Sequence, residues 1–235
     1  MRGTTRSGCD RVQQVVRIGV VADTHVGEWV AELPRSVLHA LAGVDVILHA
    51  GDITELAVLD RLGQIAQVTA VQGDHDRAAG ILLPRCRVVD VAGARIGLTH
   101  GRRGRWIELA AAASSLVMGR PVLLGFHRAL RRRFGAVDAI VFGHLHLPCN
   151  RSIGGVLFFS PGAVHNAERA AGFAAGGFAA RRYLRFRQSL PAHVGASAVG
   201  IIDVRPTGLE ARIVSVDVDG EASPSNFDRQ CSDGT

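Results

Sequence analysis

Val15-Val16-Arg17-Ile18-Gly19-Val20-Val21-Ala22-Asp23-Thr24-His25 is an apolar run broken only by Arg17 and Gly19, and it stops at a carboxylate and an imidazole two residues apart. A run with so little alternation suits a strand buried on both faces, as in a parallel sheet. The arrangement recurs. Val44–Leu48 precedes Gly51-Asp52, and Val68–Val71 precedes Gly73-Asp74-His75-Asp76. Between the first two runs, Val30, Leu33, Val37, Leu38 and Leu41 follow helical spacing, which predicts a helix over Val30–Leu41. Thr54 is placed to cap a second helix reaching about Leu62. Strand, helix, strand, helix, strand is the order of parallel βαβ units, in which function gathers at the carboxyl ends of the strands. Asp23, Asp52 and Asp74 are expected at those ends.

Beyond Val71 the pattern changes. Arg87–Val91 and Arg95–Thr99 read as a hairpin. Trp106, Leu109, Ala110, Ala113, Leu116 and Val117 follow helical spacing, as do Leu123, Phe126, His127, Leu130 and Phe134. Asp138–Phe142 is a predicted strand running into Gly143-His144-Leu145-His146, and Val156–Phe159 another running into Ser160-Pro161-Gly162. Ala198–Val204 and Leu209–Val218 form a further hairpin. This gives one domain over residues 15–218, with inserts near 102–120 and 166–195, a flexible leader at 1–14 and a flexible tail at 219–235.

The 235 residues are enough for a full hydrophobic core. All 27 basic residues are arginine, so a Schiff-base lysine and a P-loop lysine are excluded. Cys9, Cys86, Cys149 and Cys231 make no CxxC pair, which argues against a disulfide framework or zinc ribbon and for a cytoplasmic location. No apolar run reaches the ~18 residues of a membrane span. The net charge of +6 is uneven. From Gly101 to Gly135 eight arginines face one acid, Glu108, and from Asn166 to Leu190 five face one acid, Glu168. Such basic stretches fit a solvated helix face or the attraction of a polyanion, including nucleic acid.

Five polar clusters carry the chemistry: Asp23-Thr24-His25, Gly51-Asp52, Gly73-Asp74-His75-Asp76, His100-Gly101 and Gly143-His144-Leu145-His146. In an extended segment residues i and i+2 point the same way, so Asp23 with His25, and His144 with His146, can reach one ion. Mixed oxygen and nitrogen donors suit manganese, iron, zinc or nickel better than calcium. Two such ions about 3.5–4 Å apart can clamp a phosphate and generate a hydroxide between them. His75 can then protonate the leaving alkoxide, with Asp76 fixing its tautomer. His39 and His127 read as structural, His49 as a core or outer-shell residue, and His165 as a candidate for the cleft.

In order and content these five motifs resemble the calcineurin-like metallophosphoesterase superfamily, and with Ser160-Pro161-Gly162-Ala163 they are similar to its small bacterial and archaeal phosphodiesterase branch. The resemblance runs from about Val15 to Val218. It implies a four-layer α/β/β/α sandwich of two mixed sheets flanked by helices, and a metal-bridging hydroxide as nucleophile with His75 as general acid. It also implies two divalent metal ions, with manganese the first choice. One would be held by Asp23, His25, Asp52 and His146, the other by Asp52, Asp74, His100 and His144. Two residues depart from the family pattern. Asp74 stands where asparagine is usual, which adds a negative charge. Arg102 stands where relatives often have a histidine, and it could hold a phosphate oxygen. Ile53-Thr54-Glu55 after Gly51-Asp52 disfavours the protein-serine/threonine phosphatases. The implied substrate is a phosphate-ester small molecule or nucleotide, most readily a diester. The alternatives are a nucleic-acid processing phosphoesterase and a catalytically silent metal-binding scaffold of the same fold, as in the retromer scaffold subunit. Oligomerisation is left open.

Overall fold

The computed structural model describes residues 15–165, 191 and 195–217. The leader, the tail and nearly all of the second insert lie outside the described residues.

The chain runs β1 (Val16–Val21), α1 (Arg35–Ala40), β2 (Val46–His49), α2 (Ala57–Gly63), β3 (Gln67–Ala70), α3 (Asp74–Ala78), β4 (Cys86–Val91), β5 (Ala94–Thr99), α4 (Arg105–Met118) and α5 (Phe126–Phe134). It continues with β6 (Ala139–Val141), β7 (Pro148–Ile153), β8 (Val156–Pro161), β9 (Ala198–Arg205) and β10 (Gly208–Ser215). The strands form two five-stranded sheets, ordered β10-β9-β1-β2-β3 and β4-β5-β6-β8-β7. β1, β2 and β3 pair in parallel, as the apolar runs predict, and the C-terminal hairpin adds an antiparallel edge through β9.

The layers follow from side-chain alternation. Along β1, Ile18 and Val20 join Leu48, Ile96, Leu98, Val141, Phe159 and Ile202 between the sheets. Val21 points the other way, into a core of Val37, Leu41, Ile47 and Leu62 beneath α1 and α2. On the far face of the second sheet, Phe126 and Leu130 of α5 pack with Ile140, Phe142 and Phe158. Helix, sheet, sheet, helix is the expected four-layer sandwich.

Several local expectations change. The first helix is only Arg35–Ala40, because Pro34 disfavours helix in the residue before it. Val30 and Leu33 are buried all the same, so their spacing reports burial rather than helix. Thr54 caps nothing: its φ is 67°, its hydroxyl donates to the Val26 and Ile53 carbonyls, and α2 begins three residues later. On α4 the apolar positions lie largely in solvent, with Trp106 80% and Val117 81% exposed and Ala111 alone of that helix buried. β7, which the sequence did not announce, closes the second sheet by pairing with β8.

Candidate metal centre

The carboxyl ends of β1, β2, β3, β5 and β6 converge, and all seven expected ligand residues meet there. Ligand atoms of Asp23, His25, Asp52 and His146 lie within 4.8 Å of one another, and so do those of Asp74, His100 and His144. Asp52 Oδ2 is 3.5 Å from His25 Nε2 and 3.3 Å from His100 Nε2, so one carboxylate oxygen stands between the two groups. The other oxygen accepts the backbone N–H of His75 at 2.9 Å.

The backbone that delivers these groups is not extended. Asp23, His25, Asp52, His144 and His146 have φ between 46° and 70°, and they are five of the eight non-glycine residues with positive φ among the described residues. Each left-handed residue costs of order 1–3 kcal/mol. Asp23 and His25 therefore reach one place through successive sharp turns, not through the i, i+2 alternation of a strand. Crowding decides the glycines. A Cβ on Gly73 would sit 2.1 Å from the Asp52 amide nitrogen, and one on Gly51 would sit 2.8 Å from the Gly73 nitrogen.

Burial and charge make the centre costly without a cation. Asp23 and His25 are 0% exposed. Burial pushes the Asp23 carboxyl up to about 7, and Asp52 beside it adds to the rise against the pull of His100. Burial would raise Asp52 as well, but the facing His100 and His25 rings outweigh it and hold that carboxyl well below its usual range. Burial lowers His25. His100 is raised, because Asp52 and Asp23 overcome its desolvation. The Nε2 atoms of His25 and His100 are buried with no hydrogen-bond partner among the described residues. Unpartnered buried imidazole nitrogens facing a shared carboxylate are suited to divalent cations.

The expected partner of His75 is corrected. Asp76, at the third position of α3, turns back and accepts the backbone N–H groups of Asp52, Ile53, Thr54 and Gly73 at 2.6–3.0 Å. Its two oxygens are used by the loop, and the group facing His75 Nδ1 is Glu28, at 2.8 Å. The same Glu28 oxygen faces His25 Nδ1 at 3.0 Å. Trp29 stacks on the His25 ring at 3.8 Å and meets His165 edge-on at 4.4 Å. His165, expected in the cleft, is 1% exposed and lies behind His146, with its Nε2 3.1 Å from His146 Nδ1.

On the opposite side, Arg102 is spoken for by Asp74 at 2.8 Å. His144 Nδ1 faces Asp74 at 3.3 Å and its Nε2 faces Glu108 at 3.5 Å. Burial works against the charged form of His144, yet these carboxylates lift it to about 9. Glu108 is fixed by Arg103, whose Nε is 2.9 Å from it. His49 is buried beneath the site, where it accepts the Gly51 N–H at Nδ1, and desolvation lowers it to about 3.

Glu28 and Trp29 are not among the site residues expected from the sequence, and Glu108 is read there only as a lone acid. Glu28 had a signal, three residues after His25 across the turn-forming Gly27. So did Glu108, the lone acid among eight arginines.

The sequence model of the calcineurin-like phosphoesterase superfamily domain matches residues 16–178. A probable metallophosphoesterase of Methanothermobacter thermautotrophicus is 35% identical over 149 residues, 62% of this chain and 76% of that protein. One of Methanocaldococcus jannaschii is 32% identical over 150 residues, 62% of this chain and 67% of that protein. Among solved structures, Vacuolar Protein Sorting 29 from Cryptosporidium parvum superposes with a TM-score of 0.60 at 19% identity, over 92% of this chain and 99% of that one. Its similarity is one of fold.

Proposed function

The chain belongs to the calcineurin-like phosphoesterase superfamily, and from that premise we propose that it is a phosphodiesterase with a dinuclear centre. Asp23, His25, Asp52 and His146 hold one divalent cation, and Asp52, Asp74, His100 and His144 hold the other. Manganese is the first candidate. The observation that carries this reading is the pair of buried nitrogens on His25 and His100 that have no hydrogen-bond partner among the described residues, one in each set, on either side of Asp52 Oδ2. Cations held there supply Lewis acidity toward phosphoryl oxygens and a nucleophile at neutral pH.

The protein's own groups do the rest. His75 is 42% exposed at its side chain, on the open side of the site. With Nδ1 held by Glu28, its Nε2 is the ring atom left to give a proton to the leaving oxygen. The His75 N–H bound to Asp52 Oδ1 ties the position of that acid to the shared carboxylate. Trp29 covers His25 and limits water on that side. Arg102, half exposed and held to Asp74 through Nη1, has its other guanidinium N–H groups to offer a phosphoryl oxygen.

The test is turnover of bis-p-nitrophenyl phosphate and p-nitrophenyl phosphate by metal-free protein before and after manganese is restored. The expected result is no turnover without metal, and diester turnover exceeding monoester turnover with two ions bound. Two bound ions with neither ester cleaved would replace this reading with that of a metal-binding scaffold. The described residues include no helix long and apolar enough to cross a membrane.

A further inference from the structure

Beside Asp74 and His100 the surface falls into a cleft of about 480 Å³ whose lining includes five arginines, Arg77, Arg85, Arg102, Arg103 and Arg133. They come from separate segments: Arg77 from the end of α3, Arg85 from the strand entry before β4, Arg102 and Arg103 from the loop after β5, and Arg133 from the last turn of α5. Asp74 is the one acid among the lining residues. Gathering like charges from distant parts of a chain is unfavourable unless something compensates.

Three of the five are held in place. Arg103 donates to Glu108 and to the Leu123 and Leu124 carbonyls. Arg133 donates to Thr99 Oγ1 at 2.9 Å and to the Arg102 carbonyl at 3.1 Å. Arg102 is held by Asp74. Arg77 and Arg85 are exposed and have no acidic partner among the described residues. The cleft thus joins fixed guanidinium groups to two uncommitted ones, and it opens directly onto one half of the metal centre.

We infer that this cleft is a subsite for a second phosphate group, so that the substrate is a small phosphate ester carrying another phosphate besides the scissile one, such as a nucleotide bisphosphate. Guanidinium groups match the geometry of phosphate oxygens, and a dianion answers a cluster with this excess of positive charge. A cavity of this size takes a nucleotide-sized ligand rather than a length of polymer. The inference rests on the phosphoesterase reading for its scissile bond, but the second-phosphate subsite can be read by binding alone.

The experiment compares manganese-loaded full-length protein on the p-nitrophenyl ester of thymidine 5′-phosphate with and without a 3′-phosphate. Charge-assisted hydrogen bonds contribute enough that the 3′-phosphate should raise kcat/KM by about tenfold or more. That gain should vanish in R77A/R85A and persist in R151A, which removes an exposed arginine on β7 away from the cleft. In parallel, calorimetry with thymidine 3′,5′-bisphosphate and thymidine 5′-monophosphate needs no turnover, and the same preference and the same loss are expected. If neither ester is cleaved but the bisphosphate preference is present and lost in R77A/R85A, the phosphoesterase reading fails and the subsite stands. Equal affinity for the two nucleotides, or a preference untouched by R77A/R85A, overturns the subsite. Tighter binding of an oligothymidylate than of the bisphosphate overturns the assignment to a small molecule.

Discussion

The two halves of the candidate metal centre have similar ligands and different surroundings. Asp23 and His25 have side chains at 0% exposure, enclosed by Trp29, His165 and the buried His49. Asp74 and His144 are 25% and 19% exposed, and the groups against them are charged: Arg102 on Asp74, and Glu108 on His144. The inner half is fixed mainly by burial around Asp23 and His25, with Asp23, His25 and His146 all in left-handed backbone, whereas the outer half has one such residue, His144. The outer half is trimmed by ion pairs, one of which comes from α4. This contrast separates what assembles the centre from what adjusts it, and substitution should affect the two halves differently.

In the proposed centre Asp52 serves both halves, and its substitution should show the largest effect. Removing its carboxylate in D52A takes away the oxygen that stands between His25 and His100. The loss of diester turnover should exceed the about 10–100-fold typical of an outer-shell partner. Bound metal, measured by elemental analysis, should fall from two ions to one or none. Retention of two ions would mean that the halves do not share this ligand. H75A should come next, with diester turnover down by about 10²–10⁴-fold while both ions stay bound, since the ring donates a proton rather than a metal bond.

The two acids near His75 sharpen the comparison further. E28Q removes the charge that faces His75 Nδ1 and His25 Nδ1. It should lower turnover by about 10–100-fold and move the basic limb of the pH–rate profile to lower pH, because losing the facing anion disfavours the protonated ring, with little change in melting temperature. D76N should do the reverse at first order. Its carboxylate accepts four backbone N–H groups from the loops that carry Asp52 and Asp74. Weakening charge-assisted hydrogen bonds there should cost about 1.5–3 kcal/mol of stability, read by chemical denaturation of the metal-free protein. If E28Q unfolds the protein and D76N alters only the pH profile, the two roles are exchanged.

The legible part of the molecule was the part written in runs and clusters. β1, β2 and β3 follow from continuous apolar runs, and the seven candidate ligands from their positions after those runs. The geometry of the loops was not legible, because nothing in the letters Asp23-Thr24-His25 announces a left-handed residue on each side of Thr24. The partner of His75 was misread for a related reason. Adjacency in sequence suggested Asp76, whereas the third position of a five-residue helix turns its side chain back toward the N-terminus and the orphan amides there. Glu28 reaches His75 only because the turn through Gly27 brings residues 25 and 28 together. α4 was readable as a helix, but not as one whose polar Glu108, rather than its apolar face, meets the site.

The smallest effect is expected at Asp74. Asp74 lies in the outer half, and its carboxyl is partly solvated. His144 and Arg102 overcome the effect of its burial and hold it below its usual range. D74N leaves an oxygen in place and removes one negative charge. Metal should then be lost more readily to a chelator, because an amide oxygen is the weaker ligand. The remaining centre should be more electrophilic, and Arg102, released from its 2.8 Å contact, becomes free for substrate. A severalfold rise in kcat/KM of the metal-saturated protein, smaller in size than the effect of any substitution above, should therefore accompany weaker metal retention. It should appear chiefly in KM, because the released guanidinium and the lost anion both favour binding of an anionic ester. A D74N loss as large as that of D52A would show that the outer half is no less rigidly built than the inner one, and that its ion pairs are part of the assembly rather than an adjustment to it.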